Sequence, residues 1–318
     1  MFFEAGPESS FPSSLTTALP TEPPLTTFTS QASLMEEADI LMIGLAVFND
    51  EGNQYFLVEG LPEEDREGLA SDGYVLGHRP FRFMYHGNTG LVRVFNPAVK
   101  RGKSYRLASI LAGKFLAVGV PQAEAALRED DSLRLSSNYV TAGWMSMTCF
   151  RAGAETTVGG VEEGKSPDYS FLPLARFEKC AAGGQSPWPT MVIEAGSFES
   201  LPRLREEAKW WFHHSLGDVR FVLVLGVSRS RSMVYMEKWQ LMHLKLDNPF
   251  SQTPPLIRQS PGLQRPFARQ RVTLSCSSPS GDIPIMLPFE ALFDRPSPGS
   301  EKDIHLRKED LMTLAFMY

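Results

Sequence analysis

The sequence has few cysteines, no long apolar run, and two segments that lack charge of one sign. Only three cysteines, Cys149, Cys180 and Cys276, are spread through 318 residues. None has the close partner that a zinc site or redox motif requires, so they read as core thiols in a reducing compartment. The six histidines are scattered, and the adjacent pair His213 and His214 would point to different sides of a helix instead of chelating as an i, i+4 pair does. No run of about 18 apolar residues occurs, so no membrane span is expected. The first 34 residues contain no Lys or Arg, which a secretory signal or a mitochondrial transit peptide would carry. Rich in Ser, Thr and Pro, residues 1–34 read as a disordered tail. An intracellular protein, cytoplasmic or nuclear and not secreted, is expected.

The second depleted segment is 248–281, which has no acidic residue and four arginines. With its prolines it reads as a basic, irregular loop, a solvated flexible linker in preference to a lid. The chain as a whole carries a formal charge of -6. This argues against a surface that binds a polyanion everywhere, and leaves DNA or RNA open as partners of a local basic groove. A hydrophobic content of 42% fills a real core, and a chain of this length suits one large domain.

Along the chain, "ADILMIGLAVF" (38–48) reads as a strand, and "FRFMYHGNTGLVRVF" (81–95) as two strands around Asn88, Thr89 and Gly90. "SYRLASILAGKFLAVGV" places Leu107, Ile110 and Leu111 at helical spacing behind a Ser104 cap. "WMSMTCF" (144–150), "PDYSFL" (167–172) and "PTMVIEA" (189–195) are short strands bounded by Gly, Pro or Ser. From Ser200, the residues Leu201, Leu204, Ala208, Trp211 and Phe212 share one stripe of an amphipathic helix, while Arg203, Glu206 and His213 face away. "VRFVLVLGV" (219–227) is apolar on both faces, as a central strand would be, and "MVYMEKWQL" (233–241) follows it with Glu237 and Lys238 on a solvent face. "DIPIMLPFEALF" and "KEDLMTLAFMY" supply a final strand and helix.

"GGVEEGKSPDYSF" (159–171) contains two competing signals. Gly159 to Ser166 satisfies the phosphate-loop spacing, but Pro167 and Pro173 leave no room for the helix such a loop must open, and Glu162 and Glu163 would sit beside the phosphates. The Pro-Asp signal has a second half. Asp168 begins a strand and Glu194 ends the apolar run "TMVI", where a carboxylate must meet a cation, a donor or water. If the two strands are neighbours, both carboxylates can converge on Mg²⁺ or Mn²⁺, which one or two carboxylates typically hold and which can activate a water for phosphodiester hydrolysis.

With "KSPDYSF", "WPTMVIEAG" and "ESLPRLREEAKWWFHHSLGDVRFVLVLGV", the chain resembles the PD-(D/E)xK, restriction-endonuclease-like nuclease superfamily, and within it a group of uncharacterised fungal proteins. The resemblance covers roughly 144–310. It implies an α/β fold: a mixed central β-sheet flanked by helices with a restriction-endonuclease-like core, here carrying additional β-rich N-terminal elements. The implied layout is a single domain over 35–318, its core at about 104–245, the basic Pro-rich loop at 248–281, and a C-terminal strand and helix in 282–318. It also implies Asp168 and Glu194 as catalytic metal ligands. The lysine that active members carry two residues after the acid is Gly196 here. Lys209 or Arg205, one turn apart on the next helix, are the alternatives: Lys209 as the catalytic cation, Arg205 as a phosphate clamp, with Lys165 as a further substrate-binding cation. Two functions remain open: a metal-dependent nuclease, or a nuclease-like fold that no longer cleaves and binds nucleic acid or protein.

Overall fold

The structure is a computed structural model that describes residues 12–48, 52–71, 76, 81–95, 97–121, 143–145, 150–151, 161–181, 187–228, 230–244, 248–275, 278–297 and 302–315. It is a mixed α/β architecture built around two mixed sheets, with helices between them and on both outer faces.

The first sheet has the order β1-β2-β4-β3-β7-β6, with β1 at Leu25–Thr27, β2 at Tyr55–Glu59, β3 at Phe81–His86, β4 at Thr89–Val94, β6 at Phe150–Arg151 and β7 at Glu163–Lys165. The second has the order β13-β12-β11-β10-β9-β8-β5, with β5 at Gly143–Met145, β8 at Tyr169–Leu172, β9 at Met191–Ser197, β10 at Phe221–Ser228, β11 at Met233–Leu241, β12 at Pro266–Ser275 and β13 at Ser280–Gly281. β9 and β10 are parallel. The helix at Leu201–His214 crosses between them, as a parallel pair requires. Numbering the helices in chain order, α1 is Ser13–Thr16, α2 Gln31–Val47, α3 Glu63–Ser71, α4 Pro97–Ala117, α5 Leu174–Ala181, α6 the crossover Leu201–His214, α7 Phe289–Phe293 and α8 Lys308–Ala315. A small antiparallel pair, β14 (Ile285–Leu287) with β15 (Ile304–Leu306), encloses α7 in sequence and precedes α8.

Side-chain alternation decides the layers. In β9, Ile193 and Ala195 enter a core with α4, α7 and α8, whereas Val192 points the other way, toward α6 and the first sheet. In the first sheet, Tyr55, Leu57, Met84 and Leu91 face that same central layer, and Phe56, Phe83, Tyr85 and Val92 face α2 and α3. Glu194 has the parity of Val192, and Arg82 and Arg93 have the parities of Met84 and Leu91. The backbone therefore aims a carboxylate of one sheet and two guanidinium groups of the other into one layer.

Several expectations are corrected. The segment 38–48 is helical: α2 begins earlier, at a Ser30 cap whose hydroxyl accepts from the Ser33 N–H at 3.3 Å, and Leu34, Ala38 and Leu45 pack at helical spacing. A window opened at Ala38 sees neither the cap nor Leu34. Residues 12–34 are not a disordered tail, because α1 buries Leu15 completely and β1 pairs with β2, while residues 1–11 lie outside the described residues. α4 starts at Pro97, so Ser104 lies within the helix. The basic segment 248–281 is not a linker throughout, since β12 pairs along nearly all of β11. "WMSMTCF" contributes to two strands in different sheets, β5 and β6, and 146–149 lie outside the described residues. The hairpin of 81–95, the strands of 167–172 and 189–195, α6, β10 and β11 form where their patterns place them.

Candidate functional site

Asp168 and Glu194 do meet, each with no solvent exposure. Asp168 precedes β8, and its Oδ2 accepts the Ala195 N–H of β9 at 2.6 Å. Its Oδ1 lies 2.9 Å from Arg82 Nε, and Arg93 Nη2 stands 3.4 Å from both of its oxygens. Glu194 Oε1 accepts from Trp211 Nε1 at 2.7 Å and pairs with Lys165 Nζ at 2.8 Å, while Oε2 faces Arg93 Nη2 at 3.6 Å.

A third acid closes the group. Glu207 of α6, 5% exposed, takes Lys165 Nζ on Oε2 at 3.0 Å and Arg203 Nε on Oε1 at 3.1 Å, with Arg93 Nη1 at 3.7 Å. Three carboxylates from the second sheet and α6 thus meet Arg82, Arg93 and Lys165 from the first sheet, with Arg203 of α6 beside them. Arg82 and Arg93 are direct cross-strand partners, an arrangement of like charges that destabilises a sheet unless acids compensate it. Asp168 does so for both.

Electrostatics separates Glu194 from Glu207. Burial is the largest influence on Glu194 and raises its pKa; Lys165 opposes this, and Glu207 and Asp168 reinforce it. Burial also pushes Glu207 up, but Lys165, Arg93 and Arg203 together hold it well below the usual carboxylate range. Glu207 is the more firmly charged of these two. A flanking group extends the network: Glu163 of β7 engages His86 Nδ1 at 2.6 Å, His214 Nε2 at 3.1 Å and Trp210 Nε1 at 3.1 Å. Those bonds outweigh its burial and lower its pKa to about 2.

Family models, curated proteins and solved structures offer no match to this chain.

The donor set does not fit Mg²⁺ or Mn²⁺. Mg²⁺ needs near-octahedral oxygen ligands at about 2.0–2.1 Å and keeps several waters. Of the carboxylate oxygens on Asp168 and Glu194, Glu194 Oε2 alone lacks a hydrogen bond, and a guanidinium faces it. The space between the two acids is occupied by Arg93, and a second cation there would be repelled. Among the described residues no group of three or more His, Cys, Asp or Glu is arranged to hold a metal ion.

The other expected site residues divide. Lys165 joins the cluster, yet at 3% exposure it contacts carboxylates where a substrate-binding cation would face solvent. The segment from Glu163 to Lys165 is a strand, so the phosphate-loop reading fails as expected. Lys209 is not in the cluster; its Nζ pairs with Glu206 at 2.7 Å on the exposed side of α6. Arg205 is bound by both oxygens of Glu237, at 3.1 and 2.6 Å. A Cβ added at Gly196 would lie 3.3 Å from both Leu204 Cδ1 and Ser200 Cβ, tight enough that a lysine there requires these neighbours to give by a few tenths of an ångström. Arg203, expected to face away, is 1% exposed and donates to the carbonyls of Ser14 and Thr17, holding α1 against α6. Glu237 and Lys238 are buried rather than on a solvent face. Trp210 and Trp211 pack in the central core, edge to face at 5.1 Å, instead of offering a stacking platform.

A cleft of about 350 Å³ opens between α1 and α6, lined by Ser13, Thr17, Arg203, Lys209, Trp210 and Gln264 among others. Glu207 borders it, whereas Asp168 and Glu194 do not. Sequence reasoning missed Arg82, Arg93 and Glu207. The signal for the first two was available: an arginine standing between apolar residues in each arm of a hairpin needs a buried anion from elsewhere.

Proposed function

We propose that the chain is a nuclease-like α/β domain, related in plan to the restriction-endonuclease-like core, that no longer cleaves and works as a protein-interaction module. The observation that carries this reading is Arg93, whose guanidinium occupies the position between Asp168 and Glu194 that a catalytic cation would need. The acids that resemble the metal ligands of a nuclease here lock two sheets together. A buried ion cluster of this kind specifies geometry more than it adds stability, because desolvation offsets much of the attraction.

Protein is favoured over nucleic acid as the partner by where the positive charge goes. Arg82, Arg93, Lys165 and Arg203 are buried, and Arg66, Lys114, Arg176, Arg205 and Lys209 are each paired with a carboxylate. The formal charge is -6, and these cations are engaged by carboxylates or buried, where they cannot displace counterions from a phosphate backbone.

The test is a calorimetric titration of the full chain with Mg²⁺ and Mn²⁺, alongside incubation with single- and double-stranded DNA and RNA. Neither saturable binding in the micromolar range nor cleavage is expected. Divalent-dependent turnover that disappears in Glu194→Gln would overturn the reading and restore the nuclease.

A further inference from the structure

We infer that residues 248–265 form a preorganised docking ridge for a short peptide segment that is apolar and acidic, contributed by another protein. This inference rests on the interaction-module reading and names the surface through which it acts.

The ridge is the irregular half of the basic segment, and its backbone is fixed from below. Its ends are tied to the chain entering it, with the His243 N–H donating to the Pro249 carbonyl at 3.0 Å and Met242 N–H to that of Arg265 at 3.0 Å. Between them, carbonyl after carbonyl is held by buried or half-buried side chains. Gln240 donates to Ser251 at 2.8 Å, Lys238 reaches Gln252 at 3.4 Å, and His243 Nε2 lies 2.6 Å from the Thr253 carbonyl. Arg220, 5% exposed, donates to the carbonyls of Pro255 at 2.8 Å and Leu256 at 3.2 Å. Pro254 and Pro255 are buried, and the next three residues, Leu256, Ile257 and Arg258, are exposed.

What the ridge presents is unusual for a solvated loop. Phe250 is 52% exposed, Leu256 45%, Ile257 79% and Leu263 58%. These four large apolar side chains lie within fourteen residues that contain no acid. Clustered exposed apolar residues on an ordered frame mark an interaction surface rather than a random spill of hydrophobic groups. The prolines and the pinned carbonyls reduce the ordering entropy that binding must overcome. Charge then selects the partner: Arg258 and Arg265 are exposed, the former already attracting Asp218 at 3.3 Å, and no carboxylate lies anywhere in 248–281. Aspartate or glutamate flanking Leu, Ile or Phe meets this combination, whereas a basic peptide is repelled.

The experiment is a random-peptide display selection on the immobilised full chain, followed by anisotropy titration of a labelled synthetic copy of the most enriched peptide. Enrichment of apolar residues alternating with Asp or Glu is expected. Ile257→Asp should weaken binding by at least about tenfold. Arg258→Glu should weaken it and flatten its salt dependence. Both substitutions are at exposed positions and should leave the melting temperature unchanged. The inference is overturned if no peptide enriches, or if wild type and Ile257→Asp bind the peptide equally. It is also overturned if the ridge instead binds phosphatidylserine vesicles, or pairs with a second copy in sedimentation, in an Ile257-dependent way. Divalent-dependent cleavage of nucleic acid would refute the interaction-module reading; failure of the peptide arm without cleavage refutes the ridge alone.

Discussion

Replacing Glu207, which belongs to no motif, should damage this protein more than replacing Glu194, which does. Glu207 offers its oxygens to Lys165 at 3.0 Å and Arg203 at 3.1 Å, with Arg93 at 3.7 Å. In Glu207→Gln the shape is kept and one carbonyl oxygen still accepts, but three buried cations lose an acid that holds its charge more firmly than Glu194 does. Leaving a buried ion without its partner costs about 3–5 kcal/mol. For a large domain each kcal/mol is worth about 2–4 °C, so the melting temperature should fall by roughly 10 °C. Glu194→Gln should behave differently. Its charge is already disfavoured by burial and by the neighbouring acids, and glutamine Oε1 can still accept from Trp211 and Lys165. A change below about 1 kcal/mol is expected. Thermal unfolding at neutral pH, followed by tryptophan fluorescence, measures both, since Trp210 and Trp211 stand beside the cluster. A larger loss in Glu194→Gln than in Glu207→Gln would show that Glu194 carries the decisive charge and would refute this reasoning.

Three further outcomes follow from the same geometry. Gly196→Lys, which restores the residue pattern of active nucleases, should lower stability and yield no activity, because its Cβ would press on Leu204 and Ser200 at 3.3 Å; a stable variant with divalent-dependent cleavage would contradict this. Glu163, with its pKa lowered to about 2 from 4.5, contributes stability that is present above about pH 4.5 and lost as pH falls toward 2, on the order of 3 kcal/mol. Acid unfolding of Glu163→Gln should therefore start from a lower stability and show a shallower slope in that window. Lys238 has the opposite sign: burial first, then Arg269, lowers its pKa to about 7, so between there and its ordinary 10.5 the unfolded chain binds the extra proton. Stability should rise with pH across that interval, and denaturant titrations of Lys238→Met should lack the rise.

Much of the fold was legible because its signals are local. The α6 stripe, with Pro202 in the first turn and Leu204, Ala208 and Trp211 on one face, needs nothing beyond helical periodicity. β10 announces itself as an unbroken apolar run, and the absence of a helix after Ser166 follows from Pro167 and Pro173 with the strand-like alternation between them. α2 was misread because a helix that is apolar on most sides has no clear stripe, and its decisive cap, Ser30, lies upstream of the apolar run. The segment 248–281 hid a strand because Pro266, Arg269 and Arg271 mask the alternation of β12, whose residues pair with β11 on one side while many remain part-exposed. Arg203 falls off the apolar stripe of α6 and was expected to face solvent, yet it is buried because the carbonyls of Ser14 and Thr17 and the carboxylate of Glu207 satisfy it.

The sequence by itself determined that Asp168 opens one strand and that Glu194 belongs to another, since proline, alternation and apolar runs act over a few residues; that the two strands are neighbours, with Glu194 in mid-strand, came from the tertiary structure. What those acids face was decided by the tertiary structure. Arg82 lies 86 positions from Asp168, Arg93 lies 75 from it, and Lys165 lies 42 from Glu207. No local pattern links residues so far apart. Stacking one sheet on the other through α6 brings them together, and once water is excluded from that layer each acid must be answered by a cation.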